Sequence, residues 1–140
     1  MLFLATSLYP CAADSVDITL PSAVSFNVTD VNQNSASIPN PTPFSYSNFT
    51  GSYITISIIA NAPNFTRPVE DGGFIPASKV FCRADQGVFD GDYLSSTYYI
   101  YVFMYDEPGD YNFFFTLDPP GTAVRGGAHT LTATWKVESF

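Results

Sequence analysis

The chain has 140 residues, 46% of them hydrophobic and 16% aromatic, and thirteen acidic side chains against five basic ones give a net charge of −8. So apolar a composition excludes an intrinsically disordered chain, and the length suits one domain with a sizeable core. The basic residues Arg67, Lys79, Arg83, Arg125 and Lys136 are scattered, so no positive patch exists to neutralise phosphates, which argues against nucleic acid and anionic membrane surfaces.

Only 13% of the residues are charged, well below the usual quarter. Ser, Thr, Asn, Tyr and Gly must then cover the surface, as on extracellular proteins and on subunits that pack into larger assemblies.

Residues 1–13 (MLFLATSLYPCAA) carry no charge and are apolar up to Tyr9. Two readings stand. One is a remnant of a secretory signal with a small-residue exit at Cys11-Ala12-Ala13. The other is a β-segment, with Leu2 and Leu4 on one face and Phe3 on the other, donated to a neighbour's sheet edge. The segment is too short to span a membrane, which takes about 20 apolar residues in a helix. Residues 14–140 are then a single β-sandwich domain.

From Ser15 to Asp30 the pattern is strand, break, strand. Val16, Ile18 and Leu20 alternate with polar residues, Pro21-Ser22 interrupts, and Val24, Phe26 and Val28 alternate again. Strict alternation means one buried and one solvated face. Residues 31–43 are polar with three prolines and read as a loop or long crossover. Residues 44–60 hold a strand pair or one long strand, in which Ile54, Ile56 and Ile58 share one face and Tyr53, Thr55 and Ser57 the other. Residues 61–76 are irregular, and residues 77–83 form a short strand.

Residues 98–105 and 111–117 are the most strand-like of all, rich in aromatic and β-branched side chains. Between them, Asp106-Glu107-Pro108-Gly109-Asp110 is turn chemistry, and together they predict a β-hairpin at the centre of a sheet. Tyr99, Tyr101, Phe103 and Tyr105 form an aromatic row on one face of the first strand, opposite Ile100, Val102 and Met104. Such a row either packs inside the domain, stacks on sugar rings or buries against a neighbouring subunit. Near the C-terminus, Leu131, Ala133, Trp135 and Val137 alternate with threonines and Lys136. About seven to nine strands at this spacing make an antiparallel sandwich or barrel.

The catalytic inventory is thin. His129 is the one histidine, and the nucleophile-elbow, zinc-protease, P-loop and dinucleotide fingerprints are all missing from the sequence, so the residues point to no enzyme. Asp85, Asp90 and Asp92 form the densest acid cluster; it is either a solvated turn or, with Gln86 and carbonyls, an oxygen-rich Ca²⁺ site. Cys11 and Cys82 are either a disulfide, closing a loop of roughly 70 residues for about 4 kcal/mol, or two unrelated thiols. Asn27, Asn48 and Asn64 each begin an N-x-[ST] sequon, the acceptor pattern for glycosylation.

The layout as a whole resembles a known family. An apolar leader and a cysteine precede a strand ending Val24-Ser25-Phe26; a polar loop leads to Ile54-Thr55-Ile56-Ser57-Ile58; and the C-terminal strand follows Gly126-Gly127-Ala128-His129-Thr130-Leu131-Thr132-Ala133-Thr134-Trp135. This is similar to the spore-coat-U-like domain of usher-assembled pilins, and the tail resembles those of secreted β-sandwich proteins of soil bacteria. The resemblance implies an incomplete immunoglobulin-like sandwich, completed by a neighbour's N-terminal strand, with no active-site residues. The resulting expectation is a secreted, acidic, extracellular or cell-surface structural protein that self-associates through strand edges, preferably a fibre or pilus subunit. Its alternative is a monomeric extracellular module for carbohydrate or Ca²⁺.

Overall fold

The computed structural model describes residues 2–6, 15–67, 73–85, 90–104, 107–122, 124 and 126–140. The strands follow in the order β1 Leu2–Thr6, β2 Asp17–Thr19, β3 Ser25–Phe26, β4 Ser35–Ile38, β5 Thr42–Ser47, β6 Ile54–Ala60, β7 Val80–Ala84, β8 Asp92–Tyr93, β9 Ile100–Met104, β10 Gly109–Leu117 and β11 Ala133–Ser139. A short 3₁₀ turn, Ala77–Lys79, precedes β7. The protein is all-β, as the alternating patterns predict, and among the described residues no helix is long and apolar enough to cross a membrane.

One sheet has four strands in the order β1-β11-β6-β9. The other is built around β10, which pairs with β5 through Gly109–Phe113 and with β7 through Phe113–Leu117. Because Phe113 faces Thr42 in β5 and Ala84 in β7 at once, those strands lie on opposite sides of β10. Strand β4 flanks the far end of β10 at Thr116 and Leu117, β3 pairs with β4, β2 with β5, and β8 with β7. Every pairing between strands is antiparallel except that of β1, which runs parallel to β11 with Leu2 beside Ala133 and Leu4 beside Trp135.

The two sheets bury their facing surfaces against each other. Ile54, Ile56, Ile58, Ile100, Val102, Met104, Trp135 and Val137 come from one; Phe44, Tyr46, Val80, Cys82, Phe113, Phe115 and Leu117 come from the other. Rings span the gap, with the Phe113 and Trp135 centroids 5.1 Å apart. In β11 the burial follows the sequence pattern: Ala133, Trp135 and Val137 are buried and the residues between them are not. The same holds around β2, where Val16, Ile18 and Leu20 are half-buried and Ser15, Asp17 and Thr19 are exposed.

Two expectations fail. The predicted central hairpin does not form. Strand β10 does lie at the centre of its sheet, but β9 is an edge strand of the other sheet, paired only with β6 among the described residues. Strands β9 and β10 belong to different sheets, so their apolar faces both enter the common core instead of lying side by side in one sheet. A five-residue turn with Pro and Gly serves a hairpin or a link between sheets, and core burial selects the link.

The polar stretch expected as a loop at residues 31–43 holds β4 and the start of β5 instead. Its Ser37 and Thr42 are both 2% exposed, and each hydroxyl donates to the Pro39 carbonyl at 2.9 Å. Hydroxyls that satisfy one another's neighbours inside the sheet can replace apolar side chains, and alternation in hydrophobicity does not reveal such a strand. Both X-Pro bonds between β4 and β5, Ile38-Pro39 and Asn40-Pro41, are cis.

Candidate functional site

Strand β9 turns Ile100, Val102 and Met104 into the core, all of them buried. Strand alternation then points Tyr101 and Phe103 outward, and they are 45% and 36% exposed. Their ring centroids are 6.4 Å apart, with Tyr99 6.2 Å beyond Tyr101. Phe103 in turn lies 6.4 Å from Tyr53, which stacks on Phe140 at 5.0 Å. The backbone holds that last pair together, the Phe140 N–H donating to the Tyr53 carbonyl and the Tyr53 N–H to the Phe140 carbonyl.

The expected row of Tyr99, Tyr101 and Phe103 is therefore real and lies on the outer face, where Tyr53 and Phe140 extend it. Tyr105 lies outside the described residues. The doubly covered strand is β6, not β9: its outward Thr55 and Ser57 are 5% and 1% exposed. Phe103 and Glu138 flank Thr55, and Tyr101 and Lys136 flank Ser57. Small side chains on β6 thus form the bottom of a shallow trough. An aromatic wall stands on one side and the Lys136–Glu138 ion pair, at 2.8 Å, on the other. Thr55 Oγ1 is buried there without a hydrogen-bond partner.

A second feature lies at one end of the sandwich, a cavity of about 590 Å³. Its floor includes Ile58, Val80, Leu94, Phe115 and Leu117, all buried. Its rim is formed by residues 23–28 on one side and 126–131 on the other. The rim is fixed by local pairing: Thr66 and Thr130 exchange backbone hydrogen bonds at 2.8 Å, and an Arg67 guanidinium nitrogen donates to the Gly126 carbonyl at 2.7 Å. His129, the lone histidine, is half-buried in this lining.

The remaining candidates are not brought together. Asp85 accepts from the Asn112 backbone and side chain, both at 2.9 Å. Asp92 accepts from the Tyr93 backbone, and Asp90 is exposed. No three His, Cys, Asp or Glu among the described residues lie close enough to share a metal ion, so the Ca²⁺ site expected from Asp85, Asp90 and Asp92 does not exist as a cluster. Asp85 instead ties its segment to β10, and Asp92 serves local chain geometry, a role usual for carboxylates in turns. Nearby, the Tyr93 hydroxyl donates to Asp118 at 2.8 Å, and that bond holds the phenol above its ordinary range.

Cys82 is a free thiol, 1% exposed among the core side chains of β7, and burial pushes its pKa far up. Of the two readings for Cys82, disulfide or free thiol, the structure has the free thiol; Cys11 lies outside the described residues. Of the sequon asparagines, Asn27 and Asn48 are exposed and Asn64 is half-buried. Asn48, at a positive φ of 51°, donates its side-chain amide to Asp17. Leu2, Phe3 and Leu4 lie in β1 on the chain's own β11.

Fold and surface define a class: a two-sheet, all-β protein whose distinctive features are an exposed aromatic edge and an apolar end cavity. Comparison with protein-family models, curated proteins and solved structures finds no match.

Proposed function

We propose that this chain is a secreted structural subunit that associates edge to edge with copies of itself to build an extracellular fibre, on an immunoglobulin-like sandwich. The observation that carries this reading is the four-stranded sheet. Among the described residues, both its outer strands, β1 and β9, have one unpaired side. The two edges differ, so joining β9 of one copy to β1 of the next is a head-to-tail contact, which propagates unless its rotation closes a ring.

Two further features support it. Proteins that stay monomeric block such edges with charges, prolines or bulges, and residues 98–104 contain none of these charges or prolines. The aromatic side chains along β9 are also of the types enriched where interfaces are buried. In the trough beside them, the buried Thr55 hydroxyl has no hydrogen-bond partner among the described residues.

The test is a pair of charges on the edge. The parent protein forms large species whose size grows with concentration in light scattering, visible as filaments by negative-stain microscopy. Tyr101→Lys/Phe103→Lys places two lysines on the β9 face and yields a monomer. Its melting temperature stays close to the parent's, since exposed substitutions change stability by about 0.5 kcal/mol or less. A parent protein that stays monomeric at every concentration overturns the proposal.

The aromatic wall also favours a second reading, a carbohydrate-binding module in which Tyr101 and Phe103 stack on sugar rings. A monomeric parent that is retarded on an immobilised polysaccharide, with retardation lost in Tyr101→Ala, selects that reading over the fibre subunit.

A further inference from the structure

We propose that the end cavity is a binding site for an uncharged, apolar small molecule carrying a single hydrogen-bonding group, of the class of a medium-chain alcohol. At about 590 Å³ the space is within the range of roughly 300–1,000 Å³ usual for small-molecule sites. It is not a packing flaw of methyl-group size. A cavity this large persists only if something other than close packing holds its walls apart. Here the walls are the β3 segment on one side and, on the other, the 126–131 loop, tied to residues 66 and 67 by the hydrogen bonds described above.

The lining determines the ligand's chemistry. Val24, Phe26, Val28, Phe65 and Leu131 pack against the core yet remain only partly buried, so apolar surface is left for a ligand to cover. Among the described residues, no Asp, Glu, Lys or Arg lines the space, although the whole chain carries a net charge of −8. A carboxylate seated there would lose its hydration, and the guanidinium at the rim, that of Arg67, already donates to the Gly126 carbonyl. A hydroxyl needs only one partner, and polar groups stand among the lining residues, any of which can supply it. The site thus selects against charge, and it is separate from the β9 edge, so it does not depend on assembly.

The experiment uses the full chain and the neutral dye N-phenyl-1-naphthylamine, whose fluorescence rises in apolar surroundings. The dye is expected to bind saturably at one molecule per chain. Octan-1-ol displaces it, whereas octanoate at pH 8, ionised but of equal chain length, competes at least tenfold more weakly. Val28→Trp and Leu131→Trp, each filling the cavity from a half-buried wall, weaken dye binding at least tenfold while the protein still melts cooperatively. Tyr101→Ser, on the opposite face of its sheet from the core, leaves binding unchanged. Non-saturable dye binding overturns the proposal, as does equal competition by octanoate, or full affinity in both folded tryptophan variants. The competition arm needs no variant, so a failure of either variant to fold leaves the proposal testable.

Discussion

Trp135→Ala is expected to lower the unfolding free energy by about 3–5 kcal/mol, the usual cost of emptying a large aromatic site. Trp135 is 1% exposed and sits in β11 at the middle of the four-stranded sheet, with its ring against Phe113 of the opposite sheet. The loss therefore comes where the two layers meet, on a core wall between two sheets that cannot easily collapse into the space. Its indole N–H, however, is buried without a hydrogen-bond partner, and an unsatisfied buried donor costs roughly 1–3 kcal/mol. Trp135→Phe keeps most of the ring and removes that donor, so its net cost is expected to fall to about 1 kcal/mol or less. Urea denaturation of the two variants checks both figures. An alanine variant that unfolds at the parent's midpoint would show that Trp135 does not join the layers.

Cys82 should make the protein selectively weak in alkali. Its thiol, with an ordinary pKa of 9.0, is driven far above that value by desolvation in the core. The sign follows from linkage: the folded state holds the proton while the unfolded state releases it above pH 9.0, so stability falls as pH rises past that point. The slope approaches about 1.4 kcal/mol per pH unit, so the loss by pH 11 is a few kcal/mol in order of magnitude. The tyrosines and lysines titrate in the same window, so the informative quantity is the difference between the parent and Cys82→Ala. The variant begins less stable at pH 7 because it loses packed volume, and the gap narrows as the pH rises. Two parallel stability–pH curves would place Cys82 in contact with solvent. Iodoacetamide offers an independent check, since it should label Cys82 only after unfolding.

Much of the fold was legible because alternation records one-sided burial. Val16-Ile18-Leu20, Ile54-Ile56-Ile58 and Ala133-Trp135-Val137 each place their apolar set on the core side, and each does so without knowledge of its neighbours. A strand's inward face is a property of the strand itself. The aromatic row was legible for the same reason: Tyr99, Tyr101 and Phe103 share a face by parity alone.

Partnership and exposure are a different matter. Both faces of residues 99–104 are apolar, and parity cannot say which meets the core; that was decided when Ile100, Val102 and Met104 packed against the other sheet and left the aromatics outside. The turn chemistry of residues 106–110 permits a hairpin or a link between sheets, and only the burial of two apolar faces in a common core chose the link. Ser37 and Thr42 gave no hydrophobic signal, because what stabilises them inside is a shared carbonyl acceptor a few residues away. Nor could Asp85, Asp90 and Asp92 be judged from proximity in the chain: Asp85 is held by Asn112 on another strand, and the described residues hold no cluster of three such groups.

The end cavity shows the limit most plainly. Its floor comes from β6, β7, β9's approach and β10, its rim from residues 23–28 and 126–131, and no single segment carries its outline. By itself, the sequence of this protein determined that it is all-β and which side chains face inward, because those follow from the two-residue period of a strand and the cost of hydrating apolar surface. Only the tertiary structure decided which strands adjoin, which edge stays open and where space is left, because these depend on how two whole sheets fill the gap between them.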